Sequence, residues 1–267
     1  MKILTTLCGA AVAATLVAAP AFAADMTVGF SQIGSESGWR AAETSLTKQQ
    51  AEERGITLKF ADAQQKQENQ IKAIRSFIAQ GVDGILLAPV VATGWNQVLE
   101  EAQDANIPVI LLDRQIDAPD TLYLTAVTSD QVHEGKVAGD WLVKTVGDKS
   151  CNVVELQGTT GSSPAINRKK GFEEAIAGHD NIKITRSQTG DFTRTKGKEV
   201  MESFIKAENG GKDICALYAH NDDMAVGAIQ AIKEAGLKPG TDILVVSIDA
   251  VPDIFQAMAA GEANATV

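Results

Sequence analysis

Residues 57–88 read TLKFADAQQKQENQIKAIRSFIAQGVDGILLA. Thr57–Ala61 has the β-prone character of a short strand. Ile71, Ile74 and Ile78 then recur at i, i+3 and i+7, which places them on one face of a helix. Gly81 follows, where a helix end commonly needs positive φ. Ile85-Leu86-Leu87-Ala88 is a continuous apolar run, the pattern of a strand covered on both faces. Strand, helix and strand in this order form a βαβ unit, which demands a parallel sheet with helices packed on it.

The same alternation extends in both directions. Strands are expected at Thr27–Phe30, Thr57–Ala61, Ile85–Ala88, Val109–Asp113 and Leu122–Val127, then at Asn152–Leu156, Lys183–Gln188, Cys215–Ala219 and Ile243–Ile248. Ala225, Ile229 and Ile232 mark a helical face in the second series, and Gly81, Gly171, Gly236 and Gly240 are expected near helix ends or turns. Two series of similar size imply two α/β lobes, each a Rossmann-like parallel sheet with helices on both faces, joined by a hinge of short strand-like crossings. The boundary is expected at Ser129-Asp130, an N-cap pattern for the next helix, giving lobes at 24–127 and 128–267. Ala265-Thr266-Val267 reads as another strand, and a βαβ series is expected to continue past it.

The chain has 267 residues, 45% of them hydrophobic and 22% charged, with a formal net charge of −10. That composition supports a packed core without staples. The acidic balance and the absence of a clustered basic face exclude nucleic acid as a partner. Residues 1–23 differ from the rest: Met1-Lys2, an apolar run from Ile3 to Ala19, then Ala21-Phe22-Ala23, the small-x-small pattern of a cleaved export signal. Of the three cysteines, Cys8 lies in that leader. Cys151 and Cys215 remain as an even pair at the starts of two strands of one half, and an oxidising compartment favours a disulfide between them over two buried thiols.

In open α/β sheets ligands sit beyond the carboxyl ends of the strands. The residues there are Glu36, Ser37, Trp39 and Arg40 after the first strand, and Asp113-Arg114 after the fourth. In the second series they are Arg168, Phe192, Asn221 and Asp249. Carboxylates, guanidiniums and a carboxamide suit a ligand ringed by hydroxyls, and aromatic rings pack on its C–H faces. The set holds no nucleophile–base pair.

Ile107–Arg114 resembles the Asp-Arg segment of the periplasmic ribose- and galactose-type sugar-binding proteins. Ala138-Gly139-Asp140-Trp141, Val154–Gly158, Ala219–Ala225 and Ser247-Ile248-Asp249 are similar to that family in order and spacing, so the likeness spans the mature chain. The resemblance implies a type I periplasmic binding fold that closes on one monosaccharide, acts with the membrane permease of an ABC importer, and works as a monomer without a cofactor. It implies that Asp113, Arg114, Arg168, Asn221 and Asp249 bind hydroxyls while Trp39 and Phe192 sandwich the ring, with Glu36, Ser37 and Arg40 completing the ligand set. Ribose binders present two adjacent phenylalanines where this chain has Trp39-Arg40. A five-donor cation in place of a ring favours a ligand with an extra polar arm, such as galactofuranose, over ribose.

Other motifs carry less. Gly158-Thr159-Thr160-Gly161-Ser162-Ser163 lacks the Gly-Lys-Ser/Thr ending of a phosphate loop. His133, His179 and His220 have no metal-ligand spacing, and no calcium-loop pattern occurs, so no metal is expected. A repressor of the same ligand fold would need a DNA-binding helix pair where the leader stands. A sugar-cleaving enzyme would need a carboxylic acid facing a carboxylate, and arginine neighbours are expected to keep both Asp113 and Asp249 ionised. A chemosensory receptor with the same sugar affinity remains open beside the importer. Protein recovered from the periplasm is expected to begin at Ala24; N-terminal sequencing that starts at Met1 overturns this.

Overall fold

The βαβ reading of residues 57–88 generates the first sheet. The computed structural model describes residues 26–267, so the expected leader lies outside the described residues. Five strands form one parallel sheet: β1 (Thr27–Gln32), β2 (Thr57–Asp62), β3 (Gly84–Leu87), β4 (Val109–Leu112) and β5 (Thr125–Val127), in the order β2-β1-β3-β4-β5. Helices α1 (Gly38–Glu53), α2 (Gln67–Ala79) and α3 (Asn96–Asp104) make the crossovers. Ile74 and Phe77 of α2, Leu99 of α3 and Trp95 before it bury against Ile85, Leu87, Val109 and Leu111. Each such side chain contributes roughly 1.5–3 kcal/mol on leaving water.

The second sheet repeats the plan. Helix α4 (Gln131–Val146) leads into β6 (Cys151–Gln157), α5 (Ser163–Ile176), β7 (Ile182–Thr189), α6 (Arg194–Ala207) and β8 (Ala216–Ala219). Then come α7 (Asp222–Glu234), β9 (Leu244–Ser247), α8 (Pro252–Ala259) and β10 (Ala265–Thr266). The order β10-β9-β8-β6-β7 has the same topology as the first sheet. In both, the first strand of the series lies between the second and the third, so the direction of winding reverses beside it. A crevice opens there at the carboxyl ends.

The structure revises several expectations. The segment expected as a strand over Leu122–Val127 begins as a 3₁₀ turn, Asp120–Leu122, and pairs only from Thr125. Among the described residues the chain passes between the sheets once, through Thr128–Asp130, which is irregular rather than strand-like. Asp130 caps α4 as expected, accepting from the His133 amide at 3.0 Å. Gly171 lies inside α5, not at its end. A Cβ there would stand 1.9 Å from the Val132 carbonyl oxygen of α4, so glycine lets the two helices approach backbone to backbone.

Cys151, the first residue of β6, is bonded to Cys215, immediately before β8, with Cα atoms 5.0 Å apart. That separation falls within the usual range of about 4.4–6.8 Å. The bridge joins the amino ends of neighbouring strands, at the pole of the lobe away from the crevice. It spans 64 residues, and a closed loop of that size restrains the unfolded chain by about 4 kcal/mol in the entropic account. Replacing both cysteines by alanine is expected to lower Tm by roughly 5–15 °C and leave ligand affinity unchanged. Calorimetric melting with a parallel titration checks both.

Candidate functional site

The loops at the carboxyl ends of both sheets face one another across one narrow cavity. Glu36, Ser37, Trp39, Arg40, Asp113 and Arg114 line it from the first lobe, and Arg168, Phe192, Asn221 and Asp249 from the second. All ten residues singled out in the sequence are therefore brought together. Pro164, at the start of α5, is the one lining residue that was not; a proline in a helix's first turn ordinarily reads as a helix start, which conceals its second position on the cavity wall.

Three guanidiniums are buried around this space; Arg40 and Arg168 are hydrogen-bonded to carboxylates, while Arg114 lies 3.7 Å from Asp113 and 3.9 Å from Glu36. Arg40 donates from Nε to Glu36 at 3.1 Å, from Nη1 to Glu43, and from Nη2 to Asp113 at 2.5 Å. Burial works against its charge, but Asp113, Glu43 and Glu36 outweigh burial and raise its pKa. The arginine expected to read a ligand arm thus spends three N–H groups on the protein, and two of its five remain. Glu36, Arg40 and Glu43 stand at helical spacing, so that support was legible. Arg114 donates from Nη1 to the Val90 carbonyl at 2.9 Å and lies 5.1 Å over the Phe192 ring of the opposite lobe. Burial, then the neighbouring Arg40 charge, pushes its pKa down to about 10, which leaves it cationic at neutral pH. Arg168 donates to Glu134 at 2.8 Å, to the His220 carbonyl at 2.6 Å and to Asp249 at 3.4 Å. Glu134 is 34 residues from Arg168, a separation that no local pattern reveals.

The two aspartates differ. Burial disfavours ionised Asp113, but Arg40 and Arg114 more than compensate and hold its pKa below the ordinary value. Asp249 is pushed up to about 7, because burial and the nearby Asp222 and Asp113 charges exceed what Arg168 returns. The expectation that arginines keep both ionised holds only for Asp113. At 3.4 Å the Arg168 contact with Asp249 is long for a charge-assisted hydrogen bond.

The backbone is bent to aim these side chains. Asp113, Phe192 and Asp249 have φ of 64°, 61° and 119°, in a region that non-glycine residues seldom occupy and that clusters at functional sites. At Asp113 the cause is visible. Its N–H bonds the Val127 carbonyl, while its own carbonyl accepts from Thr128 Oγ1 at 2.7 Å and Gln131 Nε2 at 3.0 Å. Phe192 is packed against Gly158, where a Cβ would lie 1.9 Å from the ring. Asn221 caps α7 by accepting from the Met224 amide, and donates to the Phe192 carbonyl at 3.1 Å. One N–H of its carboxamide is left for the cavity.

Behind the site, His220, next to the carboxyl end of β8, is fully buried. Its Nδ1 faces the Gly158 amide, so Nε2 carries the proton toward Glu155 at 3.1 Å. Burial lowers the His220 pKa and keeps it neutral, while donors from His220, Ser187 and Lys169 keep Glu155 ionised despite burial. Two buried polar atoms of residues that line the cavity, Glu36 Oε2 and Arg114 Nε, have no hydrogen-bond partner. Unpaired buried groups of this kind cost about 1–3 kcal/mol each.

A bilobal α/β fold with a polar, ringed cleft at facing strand ends defines a class of solute receptors. The family described as periplasmic binding protein domain matches residues 28–267, and the chain belongs to it. The chain is 73% identical over 248 residues to the galactofuranose-binding protein YtfQ of Escherichia coli (strain K12), covering 92% of this chain and 78% of that one. It is 61% identical, with a TM-score of 0.87, to the binding-protein component of the arabinose ABC transporter of Shewanella sp. ANA-3 bound to α- and β-L-arabinofuranose. That match covers 91% of this chain and 80% of the other. A Mycobacterium smegmatis structure in complex with β-D-fucofuranose is 52% identical, TM-score 0.87, covering 90% and 79%.

Asp249 is expected to shape stability with pH. Its folded pKa lies above its unfolded one, so its contribution is full below about pH 4 and is lost as pH rises through about 7. Asp249→Asn should raise Tm of the sugar-free protein at pH 8 by a few degrees and flatten the pH 4–7 dependence. Melting curves at pH 5 and pH 8 check this, and an Asn variant as pH-dependent as the wild type would contradict it.

Proposed function

We propose that this protein is the periplasmic capture component of an ABC sugar importer, and that it closes on one furanose, galactofuranose foremost, between lobes at 24–127 and 128–267. The observation that carries the reading is the convergence of carboxylates, guanidiniums, a carboxamide and two aromatic rings from both lobes on one cavity. Such a wall offers both acceptors and donors, and a sugar hydroxyl both donates and accepts. Asp113 and Asp249 accept from hydroxyls, Arg114, Arg168 and Asn221 donate to oxygens, and Trp39 and Phe192 cover the ring faces. The two free N–H groups of Arg40, with Ser37 at the start of α1, receive the exocyclic arm that a galactofuranose has and a ribose lacks. Relatives whose names or titles carry galactofuranose, arabinofuranose and fucofuranose support the five-membered ring. Cleavage before Ala24 and monomeric work beside a membrane permease complete the reading.

Binding without turnover is favoured by room rather than by charge. Ionised Asp113 and an Asp249 of pKa about 7 would suit acid and base roles. The cavity is narrow and walled by both lobes, which leaves little space for the second sugar of a glycosidic bond.

Isothermal titration of the mature protein against galactose, arabinose, fucose and ribose is the test. Binding of one equivalent is expected, with ribose weaker than galactose by at least tenfold, and NMR of a galactofuranoside incubated with the protein should show no released product. Ribose binding as tight as galactose, or measurable product, would overturn the assignment.

A further inference from the structure

Two motifs near the cleft are not used by the sugar site: the Gly158–Ser163 loop and Asp223, the last of the four polar residues after β8. Among the described residues, three hydrogen bonds join the lobes away from the linker. The Gly38 amide donates to Asp223 Oδ2 at 2.8 Å, the Ala92 amide to the Gly161 carbonyl at 2.8 Å, and the Gln115 amide to Ser163 Oγ at 2.9 Å. In every case the first lobe supplies a backbone N–H and the second supplies the acceptor. None of these six residues lines the cavity, yet Gly38 lies between Ser37 and Trp39, Gln115 follows Arg114, and Ser163 precedes Pro164.

We infer that Asp223 and Ser163 form a clasp that closes the lobes without touching the ligand. The rationale begins at α1. A helix start exposes amides with no intrahelical partner and a partial positive charge. Ser37 Oγ accepts the Arg40 amide, and the Gly38 amide is satisfied by a carboxylate from the other lobe. Asp223 is 5% exposed, and its second oxygen is fixed by Arg194 at 2.9 Å, which also reaches Asp253 at 2.7 Å. Its neighbour Asp222 turns inward to Ser247, Thr266 and the Val251 amide, so the pair divides into one residue for the lobe and one for the closure. Trp39 packs on the apolar core of the second lobe and completes that side. The Ser163 and Gly161 contacts stand on the stretch that enters α5.

Such contacts exist only in the closed state, so they raise the closed fraction and strengthen every ligand by the same factor. The clasp rests on the reading that closure traps a sugar, but its first readout needs no sugar. Asp223→Ala, Ser163→Ala and the double variant are compared with the wild type by small-angle X-ray scattering of sugar-free protein, and by titration with galactose, arabinose and fucose. Asp223→Ala is expected to weaken all sugars that bind by about tenfold and Ser163→Ala by about threefold. The double variant multiplies the losses, keeps the order of preference, and widens the sugar-free protein wherever the wild type is partly closed. Gly38→Pro tests the same bond from the other lobe: proline is accepted at a helix's first position, and Ser37 is already extended, as a residue before proline must be. It serves also if Asp223→Ala fails to fold. Losses that reorder the sugars make these residues ligand contacts and overturn the clasp, as does unchanged scattering without a common loss. If no sugar binds the wild type, the sugar reading fails and scattering alone decides the clasp.

Discussion

Three guanidiniums buried around one small space set the condition that the rest of the molecule meets. A buried charge is tolerable only when paired and hydrogen-bonded, so carboxylates must arrive from several directions at once. Glu36 and Glu43 come from the first crossover, Asp113 from the end of β4, Glu134 from the helix after the linker, and Asp249 from the end of β9. Only sheets that direct all their strand ends toward one place can deliver them. The two-lobed topology and the charge arrangement are thus one solution to a single problem.

That solution leaves parts of the site less stable than they would be elsewhere. Asp113, Phe192 and Asp249 have strained backbones, Glu36 and Arg114 keep unpaired atoms, and Asp249 is buried with incomplete neutralisation. The compensation lies in the supporting layers: the apolar faces of α2 and α3, the backbone-to-backbone contact of α4 with α5 at Gly171, and the Cys151–Cys215 bridge. Stability is placed at the amino ends and helix faces, and unmet valence at the carboxyl ends.

Much of this was legible in residue order. Continuous apolar runs such as Ile85–Leu87 and the i, i+3, i+7 spacing of Ile71, Ile74 and Ile78 state the sheet and its covering helices without tertiary context. The rule that ligands gather at strand ends was enough to collect all ten cavity residues. What sequence hides is whatever depends on distance in space. Gly171 reads as a helix end until Val132 is seen against it. Arg40 reads as a free five-donor cation until Asp113 from another strand occupies it. Asp249 reads as an ionised partner of Arg168 until burial and two other carboxylates are weighed. Leu122–Val127 has a strand's composition throughout, yet it starts in a turn and first bonds β4 at Leu124.

The linker and the site share an atom. Thr128, in the passage between the sheets, and Gln131, just after it, both hold the carbonyl oxygen of Asp113. Any swing of one lobe about that passage drags its two supports and alters where the Asp113 carboxylate points. The angle between the lobes therefore cannot change without disturbing the backbone that presents the Asp113 carboxylate to the cavity.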